Sequence, residues 1–249
     1  MSKRHDAIAV KQVIRLEWME KTSNLMLAGL DKKQIRCELH DLLSFVKGNG
    51  SSGNRGATSR SQAVNILMNI WVAPEPGLLS MRDDALGFLR DHSLDERSIH
   101  WSMISAAYPF WFNVARQIGR LLNLQDQVTQ SQIFNRLKEQ YGDRETVARY
   151  ARYTVRSMVA WGVLKDSDTK GCYEKSEPAA VADQASSILM IESALHAVPD
   201  GKGTMGSLLN NPAFFPFQLP LMTGDFVSQH SDRIDVVRYG LDDELLKLR

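Results

Sequence analysis

The sequence predicts a mainly α-helical fold: a helical bundle with a helix-turn-helix-like N-terminal unit, a C-terminal winged-helix unit, and small β hairpins in the wing and the C-terminal segment. Three observations carry this. Apolar residues recur at helical spacing through most of the chain. Within residues 129–175 two amphipathic patterns flank a Gly142-Asp143 turn, and a polar segment with alternating charges follows them. The β-like runs are short and confined to that segment and to the last residues.

Taken in order, a helical pattern runs from about Ala7 to Ala28 and is stopped by Gly29. Asp31 with Gln34 three residues on forms a capping-box variant ahead of Ile35, Leu39, Leu42 and Leu43. The loop KGNGSSGNRGATSRS follows, and Thr58 or Ser59 caps a third helix through Val64, Leu67, Met68 and Trp71, ending at Pro74 and Pro76. Residues 22–72 therefore read as helix, turn, helix, long loop, helix. Met81–Asp91 and Leu94–Ala107 are the next helices, and Pro109 opens another through Phe112, Ile118 and Leu122. Trp101, Tyr108, Phe110, Trp111 and Phe112 have no regular polar partner and read as a core joining the two halves rather than a base-stacking platform.

Thr129 or Ser131 caps the first helix of the 129–175 unit, with Ile133, Phe134 and Leu137 on its apolar face. Arg144-Glu145-Thr146 opens the second helix, and Val163-Leu164 starts a strand beyond Gly162. Ala185–Val198 reads as one more helix, PAFFPFQLP as an irregular apolar segment laid over the core, and the final residues as a hairpin turning near Gly240 and Asp242. The implied organisation is 1–76, 77–128, 129–176 and 177–249.

The second helix of the 129–175 unit carries the functional signal. At about 100° per residue, Val147, Ala151, Thr154, Val155 and Met158 share one side, and Arg149, Arg152, Tyr153 and Arg156 share the other. An apolar back with an arginine front suits a helix presented to nucleic-acid phosphates or guanine edges. Tyr153 is expected to pack against sugar, with Lys165 and Lys170 of the wing touching the neighbouring backbone. In the glycine loop, Lys47, Arg55 and Arg60 are additional phosphate contacts within reach. The same surface also fits an acidic protein partner, and that alternative stays open at this level.

Net charge is only +1, but its distribution is uneven. Residues 1–70 hold 11 Lys and Arg against 6 Asp and Glu, and residues 129–176 hold 9 against 6. Residues 177–249 hold 5 against 10, so acidity gathers away from both helix-turn-helix-like units. That asymmetry favours a polyanionic partner such as double-stranded DNA.

Other classes find little support. Gly48–Gly53 matches G-x-G-x-x-G in letters, but a helix rather than a strand precedes it and the next helix starts too late. It is not followed by the Lys-Ser/Thr of a P-loop either. The six histidines include no i+3 or i+4 pair, and neither Cys37 nor Cys172 belongs to a C-x-x-C, so no metal or other cofactor is expected. No nucleophile elbow or zinc-protease motif occurs, and the expectation is a non-enzyme. The two separated cysteines fit a reducing cytoplasm, and no apolar run suggests a membrane helix or signal peptide.

The order NLMLAGLDKKQIRCELHDLL, then ATSRSQAVNILMNIW, an aromatic helical middle, and IFNRLKEQYG…ETVARYARYTVRSMVAWGVLKDS resembles the BrxA family, small helical proteins of BREX phage-defence islands. The resemblance covers roughly residues 22–165 and includes the late-helix step Trp161-Gly162-Val163-Leu164. The Gly/Ser loop and the segment beyond about residue 180 stand outside the shared plan. The resemblance implies a DNA-binding accessory protein acting beside separate methyltransferase and ATPase components of the same defence system, with no catalytic residues. Two other roles remain open: a dimeric winged-helix transcriptional regulator reading a pseudo-palindrome, and a protein–protein adaptor that does not touch nucleic acid.

Overall fold

The computed structural model describes residues 4–45, 56–91, 96–177, 179–180, 184–239 and 243–249. Helix accounts for 63% of the chain and strand for 11%, so the protein is mainly helical with small sheets. The glycine-loop residues Lys47 and Arg55, the G-x-G-x-x-G stretch and the turn at Gly240 and Asp242 lie outside the described residues.

The chain does not begin with the expected long helix. Residues 7–15 form an extended strap, and α1 spans only Leu16–Leu27. The helical spacing of Val10, Val13 and Ile14 is real, but β-branched side chains serve an extended backbone equally well. Tertiary bonds decide the matter: the Ile14 N–H donates to the Ser157 hydroxyl at 2.9 Å, and the Ile14 carbonyl accepts from the Trp161 indole at 3.0 Å. Val10 sits in the left-handed region at φ 66°, a strained setting for a β-branched residue.

Helix α1 ends as expected at Gly29, where a φ of 79° lets Leu30 N–H reach the Leu25 carbonyl and Gly29 N–H the Met26 carbonyl. The Asp31 capping box forms as the sequence predicts and opens α2, Lys32–Ser44. Helix α3, Ala57–Leu67, starts at Gly56 rather than at a Thr58 or Ser59 cap, and runs into a π-helical turn at Met68–Val72. A 3-10 turn at Pro76–Leu78 leads into α4, Leu79–Arg90. Helices α5, Glu96–Ala107, and α6, Pro109–Leu122, then cross the centre of the molecule.

A short strand that the sequence pattern does not reveal, β1 at Gln127–Thr129, comes next. Thr129 caps α7, Gln130–Tyr141, in a full capping box with Gln132. Helix α8 spans Glu145–Ala160, and the hairpin β2, Leu164–Asp166, and β3, Cys172–Lys175, follows. Strand β3 lies between β1 and β2, antiparallel to both. From α6 onward the order is thus helix, strand, helix, helix, hairpin.

The remainder comprises β4, Ala179–Ala180; α9, Gln184–Ala197; β5, Lys202–Thr204; α10, Met205–Leu209; β6, Phe217–Gln218; α11, Gly224–His230; β7, Ile234–Tyr239; and β8, Asp243–Leu248. The expected terminal hairpin is β7–β8, with β5 added on the other edge of β8. PAFFPFQLP packs over the core as anticipated, through a 3-10 turn at Pro212–Phe214 and a two-residue parallel pairing of β6 with β4.

The core is one connected cluster. Trp101, Phe110, Trp111 and Phe112 are fully buried at its centre, whereas Tyr108 stays partly exposed at the start of α6. The Trp101 ring meets Trp111, Trp161, Phe215 and Phe217 edge-on, with centroids 5.4–6.1 Å apart. Each such pair adds about 0.5–1.5 kcal/mol beyond its area burial. These rings come from α5, α6, the end of α8 and the C-terminal segment, so the aromatic cluster fixes α8 against the rest of the molecule.

Among the described residues, one carboxylate is fully buried. Glu192 of α9 has no solvent exposure and receives both Nε and Nη2 of Arg233, at 2.7 and 2.8 Å. Arg233 also meets Asp84 of α4 at 2.7 Å, and His196 stands 3.6 Å from Glu192. Burial alone would raise the Glu192 carboxyl, but the hydrogen bonds from Arg233 and His196 carry it below its ordinary value.

Candidate nucleic-acid interface

Helix α8 is held by its apolar face. Val147, Ala151, Thr154, Val155 and Met158 are buried, as the periodicity required. Its C-terminus closes at Gly162, φ 71°, where Val163 N–H bonds the Met158 carbonyl and Gly162 N–H the Val159 carbonyl. Both bonds satisfy carbonyls the last turn would otherwise leave open.

On the opposite face Arg149, Arg152 and Arg156 are exposed and Tyr153 is half-exposed. The structure brings these four together along one side of the helix. Arg149 pairs with Glu145 one turn back at 3.3 Å, and Arg156 pairs with Asp166 of β2 at 2.5 Å. The Asp166 hydrogen bond is the main reason the Arg156 guanidinium is driven above its ordinary value, against a smaller opposing effect of burial. Arg152 has no carboxylate within 4 Å among the described residues, and its guanidinium lies 6.0 Å from the centre of the Phe134 ring. Tyr153 stacks beside Tyr150, with ring centroids 6.3 Å apart.

The hairpin flanks this face on one side. Lys165 of β2 is exposed and bridges to Glu174 of β3 at 2.9 Å. Lys170, in the turn between the strands, is exposed. Arg60 falls elsewhere, on the first turn of α3, half-buried. It belongs to α3 and so is not part of the α8 row, and its neighbour Ser59 donates to Gln12 of the strap at 2.9 Å.

The strap flanks the same face on the other side, a neighbour that sequence reasoning missed. Ser157 accounts for the docking: its hydroxyl donates to the Tyr153 carbonyl at 2.8 Å while accepting the Ile14 N–H. The exposed pairs here are worth about 0–1 kcal/mol each and exchange readily for another anion. What the arrangement offers chemically is a row of arginine side chains on a helix held by its apolar face, bordered by two short segments. No protein-family model, curated protein or solved structure matches this chain. No described helix is long and apolar enough to cross a membrane.

Proposed function

We propose that the chain is a non-enzymatic double-stranded DNA-binding protein in which residues 109–175 form a winged helix with α8 as its recognition helix and the β2–β3 hairpin as its wing. The observation that carries this reading is the Arg149, Arg152 and Arg156 row on the solvent face of a helix whose other face is locked into an aromatic core. The helix–strand–helix–helix–hairpin order and the β1-β3-β2 sheet support it. Lys165 and Lys170 are then wing contacts to the adjacent phosphates. The likeness to BrxA proteins supports a role as an accessory factor of a prokaryotic phage-defence system, beside larger partner proteins in the cytoplasm.

A competing reading has its own observation. Glu145, Asp166 and Glu174 already neutralise Arg149, Arg156 and Lys165, which favours an adaptor whose partner supplies matching charges of both signs. Binding of a labelled duplex measured against salt separates the two. The native protein is expected to lose affinity linearly on a log–log scale. The Arg149→Ala, Arg152→Ala, Arg156→Ala triple variant should show a slope shallower by up to about 2.7, some 0.9 for each phosphate that is no longer neutralised. No binding at low salt would overturn the DNA reading and favour the adaptor instead. Tight binding restricted to one palindrome, by a dimer, would indicate a transcriptional regulator.

A further inference from the structure

The strap does more than cover the edge of α8. Between them lies a groove of about 450 Å³ lined by Val13 and Arg15 from the strap and by Arg152, Tyr153, Arg156 and Val159 from the helix. We propose that this groove seats one backbone phosphate of the DNA, and that Arg15 is a phosphate-contacting residue acting together with Arg152 and Arg156. The proposal rests on the DNA-binding reading of α8 and adds to it a residue distant in sequence, from the strap.

Three features of Arg15 argue for it. Its backbone is fixed on both sides: the preceding residue is held by Ser157 and Trp161, and its own carbonyl accepts from Trp18 and Met19 at the start of α1. Its guanidinium lies 5.8 Å from the centre of the Trp18 ring, a cation–π contact that limits its rotamers before any ligand arrives. Its only carboxylate neighbour among the described residues is Glu17 at 3.4 Å, and with the two side chains 44% and 58% exposed this is a pair that water screens strongly. A phosphate entering the groove exchanges that weak contact for charge-assisted hydrogen bonds from guanidinium forks on both walls. Arg152, with no carboxylate of its own within 4 Å among the described residues, is the donor that loses least in doing so.

The choice of a phosphodiester over a carboxylate-bearing partner follows from the donor set. Three arginines line one groove that also contains Tyr153, whose ring can pack against sugar, and a tetrahedral oxyanion can accept from donors on two walls at once. The groove runs beside the recognition helix, where the backbone flanking a bound major groove must pass.

The test uses the full chain and a fluorescein-labelled duplex titrated by anisotropy across a salt series. Arg15→Ala is expected to weaken binding about tenfold at low salt and to reduce the salt slope by about 0.9. Arg15→Lys should recover the slope but only part of the affinity, because a point charge keeps the phosphate and loses the fork. Arg15 is half-exposed, and thermal unfolding followed by circular dichroism verifies that the variants fold. If Arg152→Ala weakens binding while Arg15→Ala changes neither affinity nor slope, the groove proposal is overturned and α8 still stands as the DNA-binding helix. If the native chain binds no duplex at low salt, both fall together.

Discussion

The Glu192–Arg233 pair should be the most expensive polar contact in the protein to break from one side. In Arg233→Ala the Glu192 carboxylate stays at zero exposure but loses two charge-assisted hydrogen bonds, at 2.7 and 2.8 Å, and keeps only His196 at 3.6 Å. A buried ion stripped of its partner costs about 3–5 kcal/mol. For a chain of this size that corresponds to a melting point lower by roughly 6–20 °C. Removing the other arm of the network should cost little, because Asp84 is half-exposed; Asp84→Asn is expected to cost less than about 1 kcal/mol. Replacing both members, as in Glu192→Gln with Arg233→Met, should recover most of the loss, since no uncompensated charge then remains. Urea unfolding at pH 7, followed by tryptophan fluorescence, measures all three. The difference between native and Arg233→Ala should also shrink on acidification. The Glu192 carboxyl is held below its ordinary value, so the pair's contribution is complete above about pH 4.5 and fades as the pH falls through the lowered folded value. A cost for Arg233→Ala no larger than that of Asp84→Asn would refute the claim that this charge is truly buried.

Two further outcomes follow from the interior. His100 is buried edge-on to Trp71, the two ring centroids 5.3 Å apart, with neither ring nitrogen hydrogen-bonded among the described residues, and burial lowers its pKa from 6.5 to about 3. Between those values the unfolded chain binds the proton and the folded chain does not, so stability falls with acidification from pH 6.5, at about 1.4 kcal/mol per unit. His100→Leu should remove that slope, and unfolding curves that stay parallel to the native ones between pH 6.5 and 5 would show the ring is not held neutral. Gly119 and Gly87 both sit inside helices but should respond oppositely to alanine. A Cβ at Gly119 would lie 1.9 Å from the Pro212 carbonyl oxygen, backbone against backbone, whereas one at Gly87 meets nothing within 4 Å. Gly119→Ala is expected to cost about 1–3 kcal/mol despite better helix propensity; Gly87→Ala should stabilise by about 0.5–1 kcal/mol. Melting points read both, and a stabilised Gly119→Ala would mean that α6 and the Pro212 turn are not in contact.

The parts of the molecule legible in the sequence are those governed by local chemistry. The two faces of α8, the capping boxes at Asp31 and Thr129 and the Gly29 stop follow from spacing and side-chain type, and each stands where the residues put it. Strand β1 is not legible, because three residues are too short for an alternation to register and its hydrogen bonds come from β3, more than forty residues away. The strap misleads for a related reason: its apolar spacing fits a helix, and tertiary bonds, among them those of the Ser157 hydroxyl and the Trp161 indole to Ile14, favour the non-helical form. Arg15 is invisible as a site residue for as long as it counts as the interior of a helix. Among the α8 residues, the Glu145–Arg149 pair is an i, i+4 contact that the sequence does contain. The Arg156–Asp166 pair needs the hairpin to fold back and has no local signature.

That docking of the strap also imposes an order on the birth of the molecule. Ile14 is bonded to residues made 143 and 147 positions later. At about 5–20 residues per second on the ribosome, its partners emerge roughly 7–30 s after it does. Throughout that interval Ile14 lacks both of these partners, although it is fully buried in the finished fold. The docking of the strap through Ile14 is therefore completed only after α8 has been made. A nascent chain halted before residue 157 would lack the seat for Ile14.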